Sequence, residues 1–75
     1  MSAKPAMARR FEYVGGGSDK FWEITAWGAV VTVRFGRNGT AGQTQTKTFP
    51  DEATAHRHAD RLVRAKAGKG YAEVG

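Results

Sequence analysis

The sequence predicts an α+β domain, a small antiparallel β-sheet with one amphipathic α-helix packed on it. Two observations carry that prediction. Between Arg9 and Phe49, apolar and polar residues alternate with period two in four short runs separated by glycine or Trp-Gly turns. From Asp51 the period changes to that of a helix and holds to Ala67.

The elements follow in order. Residues 1–8 are small, polar and aperiodic and are expected to be a disordered N-terminus, leaving 9–75 as a single domain. In the run from Arg9 to Val14, Phe11 and Tyr13 fall on one side and Arg10 and Glu12 on the other, the signature of a half-buried strand. Gly15-Gly16-Gly17-Ser18-Asp19 ends it as a flexible connection; neither the GxGxxG nor the GxxxxGK[ST] spacing of a phosphate-cradling loop is present. Lys20 to Ala26 is aromatic and β-branched, with Trp22 and Ile24 on one face and Phe21 and Glu23 on the other. Trp27-Gly28 then has the spacing of a tight hairpin, with Trp27 near the tip as a base-stacking platform or folded back over the sheet end.

Ala29 to Phe35 is the clearest strand. Alternation assigns Ala29, Val31, Val33 and Phe35 to the core face and Val30, Thr32 and Arg34 to the other, while Arg37 lies beyond the last regular pair. The turn from Gly36 to Gln43 has glycine at 36, 39 and 42, which permits positive φ and close backbone approach. Thr44 to Phe49 is a polar strand suited to a solvent-exposed edge. Pro50 stops it and Asp51 caps the helix, with Glu52 in the first turn. Ala55, Ala59, Leu62, Val63 and the stem of Lys66 form one apolar stripe; Arg57, Arg61 and Arg64 form a ridge on the opposite side, read as a solvated face with Asp60 pairing to Arg57 and Arg64. Gly68 is expected to end the helix, and Gly70 to release a short final strand, Tyr71 to Val74, with Tyr71 docking on the core.

A chain of 75 residues buries only about 60% of the surface its unfolded form exposes, so its core is small. The absence of cysteine excludes disulfides and thiolate metal sites and fits a reducing cytoplasm. No apolar run approaches a membrane span, and no secretory leader is visible at Met1 to Ala8, so the expected localisation is cytoplasmic. Twelve Lys+Arg against seven Asp+Glu give a formal charge of +5, which favours a polyanionic partner, nucleic acid first, over a membrane or a small-molecule substrate.

Catalytic chemistry finds no support. His56 and His58, two apart on a helix, point about 200° apart and cannot chelate one metal. There is no GxSxG, HExxH or Ser/His/Asp arrangement, and Glu12, Glu23 and Glu73 fall on different strands. The sequence predicts no enzyme, no cofactor and no metal.

Lys20-Phe21-Trp22-Glu23-Ile24, Val33-Arg34-Phe35-Gly36-Arg37-Asn38-Gly39-Thr40-Ala41-Gly42-Gln43, Lys47-Thr48-Phe49 and Lys69-Gly70-Tyr71 together resemble the WGR domain, in the stand-alone bacterial style, with Phe35 where the signature tryptophan is expected. The resemblance runs from Arg9 to Val74. It implies an antiparallel sheet with one helix and, by analogy with poly(ADP-ribose) polymerases, recognition of DNA strand ends, with Phe35 as the residue that packs on a nucleotide and Arg37 as the linking or phosphate-facing one. Combined with the charge, it predicts a non-enzymatic nucleic-acid-binding domain, DNA before RNA, with Lys20, Arg34, Arg37, Lys47 and Lys69 on phosphates and Phe35 or Trp27 on sugar or base. The alternative is a protein-protein interaction module that docks a partner chain on the glycine-spaced turn and the polar sheet edge.

Overall fold

A computed structural model describes residues 6–75. Five strands and one helix follow in the order β1 (Met7–Gly15), β2 (Ser18–Trp27), β3 (Val30–Arg37), β4 (Gln43–Thr48), α1 (Glu52–Gly68) and β5 (Ala72–Val74). They build one antiparallel sheet in the spatial order β4-β3-β2-β1-β5, so the predicted α+β architecture holds. The helix carries the chain from one edge of the sheet to the other and lies against β2 and β3 on the way. Among the described residues no helix is long and apolar enough to cross a membrane.

The first hairpin is tighter than the sequence predicts, and the second keeps its two-residue turn but shifts it by one position, taking Ala29 out of the strand. β1 and β2 pair from Met7↔Ala26 to Gly15↔Ser18, leaving only Gly16 and Gly17 as the turn, at φ +55 and +84. Two successive positive φ values match the right-handed twist of the flanking strands, which is why glycines there extend the ladder where a loose five-residue loop is expected. The unstructured start expected for 1–8 lies mostly outside the described residues, and it ends sooner than predicted: Met7 and Ala8 pair with Ala26 and Thr25, and the Ala6 N–H donates to the Ala26 carbonyl at 2.9 Å. Trp27 is the last residue of β2, and the turn is Gly28-Ala29.

Strand parity holds. Phe11, Trp22, Ile24, Ala26 and Val31 on the sheet meet Ala55, Ala59 and Val63 of the helix in one buried cluster, with Val33, Phe35, Leu62 and Tyr71 packed at its border. Alanine at 55 and 59 lets the helix sit close to the sheet, and the Phe11 and Trp22 rings, 5.7 Å apart, fill the space beside it. Asp51 accepts from the Thr54 N–H at 2.7 Å and caps the helix as predicted. Its C-terminus lies one residue later than expected: Gly68 is still helical, Lys69 caps with αR geometry, and Gly70 takes the left-handed turn at φ +101. Gly70 is needed there because a Cβ would also meet the Tyr13 ring at 3.1 Å. The expected pairing of Asp60 with Arg57 and Arg64 does not form; Arg57 reaches the Thr54 hydroxyl, and the three arginines stand exposed around Asp60.

Candidate nucleic-acid interface

Phe21 begins the description of the site, although it lies on the sheet face away from the helix. It is only 2% exposed and stands apart from the main core. The guanidinium carbons of Arg10 and Arg34 sit 4.6 and 4.8 Å from its ring centroid, so two cations roof the ring. Both are held by one carboxylate: Arg10 Nη1 donates to Glu23 Oε2 at 2.5 Å and Arg34 Nε to Glu23 Oε1 at 2.9 Å. Burial pushes the Glu23 pKa up, but the hydrogen bonds from Arg10 and Arg34 outweigh it and hold the carboxyl below its ordinary value.

This clamp grips the turn between β3 and β4. Arg34 Nη1 donates to the Ala41 carbonyl at 2.8 Å, and Arg10 Nη2 to Asn38 Oδ1 at 2.9 Å. Asn38 in turn donates from its backbone and its amide to Asp19, at 2.9 and 2.7 Å. The Thr40 hydroxyl and N–H both donate to the Arg37 carbonyl. The glycines at 36 and 42 serve one close approach from two sides. Gly42, at φ +71, packs where any Cβ would collide with the Phe35 carbonyl oxygen and come within 2.9 Å of Phe21 Cζ. Gly36 has no unusual φ, but a Cβ on it would lie 2.8 Å from the Gly42 Cα.

The turn so fixed delivers Arg37 to the opposite face, at the end of the sheet under the helix C-terminus. Arg37 is not beyond the last regular pair, as sequence parity suggests, but the last residue of β3, in register with Lys20. Lys20 Nζ lies 5.4 Å from the Tyr13 ring and 5.8 Å from Tyr71; Lys66 Nζ lies 5.2 Å from Tyr71 and 5.6 Å from Trp22. Tyr71 is thus flanked by two ammonium groups. Burial, reinforced by Lys69 and Lys20, lowers the Lys66 pKa below the ordinary lysine value. Lys20, Arg37, Lys47, Lys66 and Lys69 make no ion pair among the described residues. The carboxylate bordering the Lys20–Arg37 hollow, Asp19, is engaged by Asn38.

The predicted residues therefore separate. Lys20, Arg37 and Phe35 line one hollow, and Lys47 lines an adjoining groove that shares Phe35 and Lys66 with it. Lys69 caps the helix beside them. Phe35 is half-buried on the helix side, as parity predicts, with an edge at both hollows. Arg34 points to the other face and is committed to Glu23 and Ala41. Trp27 is 49% exposed but belongs to the far end of β2, seven residues and about 24 Å from Lys20. Sequence reasoning missed the Lys66 ammonium and the Tyr71 ring. A lysine on the apolar stripe one turn before the helix end was the available signal, since its charge must emerge past the sheet margin. Among the described residues no group of three or more His, Cys, Asp or Glu could hold a metal ion.

Comparison with known proteins gives a consistent result. The WGR domain family matches residues 7–75. The chain is 40% identical over 67 residues to the uncharacterized protein YfeS of Escherichia coli K12, covering 89% of this chain and 28% of that protein. It is 37% identical over 65 residues to protein YehF of the same organism, covering 87% and 24%. A crystal structure of a Bacteroides fragilis protein superposes with a TM-score of 0.89 at 40% identity, over 92% of this chain and 20% of that one. The chain thus spans about a quarter of the length of the curated relatives it matches. WGR domains generally bind nucleic acid and are not catalytic. By the match over nearly its whole length, and by the fold, this chain belongs to the WGR domain family.

Proposed function

We propose that this WGR domain binds DNA, at strand ends, through the helix-side surface formed by Lys20, Arg37, Lys47, Lys66 and Lys69 with Phe35 and Tyr71. The observation that carries the reading is where unpaired cations meet aromatic rings: Lys20, Arg37 and Lys66 have no carboxylate partners among the described residues and stand beside Phe35 and Tyr71, whereas the equally unpaired Arg57, Arg61 and Arg64 surround Asp60 and Arg9, Arg10 and Arg34 are tied to glutamates. Repulsion among Lys20, Lys66 and Lys69 is relieved by an anion placed between them. Half-buried aromatic rings beside unpaired cations offer a face for sugar or base next to a seat for phosphate. Arg34 contributes through the turn it holds, and Arg37 is the residue that meets phosphate.

Five phosphate contacts, one for each of these cations, give a log–log salt slope of about −4.5 on duplex DNA, with little sequence preference. Labelled linear blunt, nicked and single-stranded DNA titrated at two salt concentrations, against a closed circle, test the reading. No binding at low salt sinks it, and equal affinity for the circle removes end recognition.

One observation favours a second reading. All six residues of β4 are exposed at a sheet edge, a template on which a partner strand could pair. A partner captured from nuclease-treated lysate by wild-type protein but not by a β4 proline variant supports this protein-interaction reading.

A further inference from the structure

The two edges of the sheet are finished differently. β5 is three residues long, and its Glu73 is tied to Arg9 at 2.7 Å, so it offers little to a further strand. β4, at the other edge, has six exposed residues, no proline, one charge at Lys47 and an unbroken register from Val30↔Thr48 to Phe35↔Gln43. The helix lies against β2 and β3 and leaves it open. Hydrogen-bond phase determines what this edge presents. The Phe49 N–H donates to the Ala29 carbonyl at 2.8 Å, so Gln43, Gln45 and Lys47, in phase with Phe49, turn their backbone groups to β3. Thr44, Thr46 and Thr48 therefore each aim an N–H and a C=O outward.

We propose that β4 pairs with β4 of a second copy of this chain, antiparallel about a twofold axis through Thr46, joining the two five-stranded sheets into one. This rests on the protein-interaction reading of β4, with the chain itself as the partner, and is independent of nucleic-acid binding. Self-complementarity selects the register. Only pairings that set threonine opposite threonine in β4 keep the two sides of the sheet matched. An axis at Thr46 sets Thr46 against Thr46 and Thr44 against Thr48, which engages every outward backbone group of the strand. An axis at Gln45 sets Thr48 against Gly42, which sits at φ +71 packed on the Phe35 carbonyl and cannot continue a ladder. An axis at Lys47 sets the two lysines opposite each other and Thr44 against Pro50, which has no N–H.

The side chains agree with the Thr46 register. On the helix side, Lys47 falls opposite Gln45 of the second copy, so its ammonium meets an amide oxygen and not a like charge. On the open face, Thr25, Thr32 and Thr46 already form a cross-strand row, with the Thr32 and Thr46 hydroxyl oxygens 3.3 Å apart. Pairing continues that row into Thr46, Thr32 and Thr25 of the second copy, and cross-strand threonine pairs favour the ladder. The axis stands perpendicular to the sheet, so both helices lie on one side and the two Lys20–Arg37 hollows face the same way. A ladder this short makes a weak dimer, because the freedom lost on association offsets much of what its hydrogen bonds gain.

Sedimentation velocity of the purified chain from about 10 μM to about 1 mM is expected to show the average mass rising towards twice that of the monomer. Thr46→Pro removes the outward N–H at the axis and no backbone bond to β3, so it is expected to keep the fold, checked by the thermal midpoint, and to stay monomeric throughout. Gln45→Glu sets a carboxylate opposite Lys47 of the second copy, twice per dimer, and is expected to tighten association about threefold to tenfold. The chain has no cysteine, so cross-linking reads the register directly. An equimolar mixture of Gln45→Cys and Lys47→Cys is expected to oxidise to the mixed dimer in preference to either homodimer, since positions 45 and 47 form a close, non-hydrogen-bonded pair across the axis. A chain still monomeric at about 1 mM, a dimer that survives Thr46→Pro, weaker association of Gln45→Glu, or preferential cross-linking of Gln45→Cys to itself overturns the inference. The first of these leaves the edge free for a strand of another protein, so the protein-interaction reading stands or falls on its own capture experiment.

Discussion

The two faces of this sheet use arginine and lysine in opposite ways. On the open face, Arg10 and Arg34 are stacked on Phe21 and tied to Glu23, so their charges are neutralised and their hydrogen-bond donors hold a turn. On the helix face, Lys20, Arg37 and Lys66 stand among aromatic rings with no counter-ion among the described residues. The same +5 chain thus contains cations that stabilise the fold and cations that are tolerated by it. Net charge alone cannot separate these groups; cross-strand neighbours do. Glu23 falls directly opposite Arg10 and Arg34, whereas Lys20 falls opposite Arg37, a like-charge pair that opposes folding and invites an anion.

The largest effect is expected where the open face touches the turn. Gly42→Ala forces a side chain into positive φ and against the Phe35 carbonyl and the Phe21 ring, and is expected to cost about 3 kcal/mol or more. The thermal midpoint then falls by more than 10 °C, at roughly 4–8 °C per kcal/mol for a domain of this size. A midpoint within a few degrees of wild type would show that the turn is not pinned as described.

Glu23→Gln comes next. It removes the charge that holds both arginines and is expected to cost about 2 kcal/mol, measured by urea unfolding at neutral pH. The sign with pH follows from the pKa. The folded value is lower than the unfolded one, so the stabilisation is fully present above the ordinary carboxylate range and is lost as pH falls through the folded value. Asp51, held low by the Thr54 hydrogen bonds, and Glu73, held low by Arg9, act in the same direction. The acid limb of the stability profile is therefore expected to flatten in Glu23→Gln without vanishing; an unchanged limb would break the comparison between the faces.

The fold was legible because its signals are local. Alternation in β3 assigns Phe35 to the helix side, and Asp51 announces the cap immediately before the first helical residue, Glu52. What escaped depends on tertiary register. Arg34 reads as a phosphate ligand from its place in the motif, and only the pairing of β2 with β3 sets Glu23 against it. Lys66 reads as a stem because the helical pattern reports only which side a residue leaves from, whereas its ammonium emerges between Trp22 and Tyr71. Gly36 reads as a turn glycine, yet its role is steric, set by a backbone six residues away. Trp27 combined exposure with a base-stacking side chain, and nothing local told that its end of β2 lies far from the cations.

The smallest effects on the fold carry the sharpest test of function. Arg37→Ala is expected to leave stability within about 0.5 kcal/mol, since the side chain is exposed and makes no hydrogen bond among the described residues. If it meets a phosphate, the salt slope falls by about 0.9 and affinity drops at low salt for every sequence alike. Trp27→Ala, equally harmless to the fold, is expected to change neither slope nor affinity, because its ring shares the far end of the open face. Parallel titrations of the two variants on one DNA decide between the ends of the sheet. A loss with Trp27→Ala and none with Arg37→Ala would move the interface to the β2–β3 hairpin and reverse the assignment of the faces.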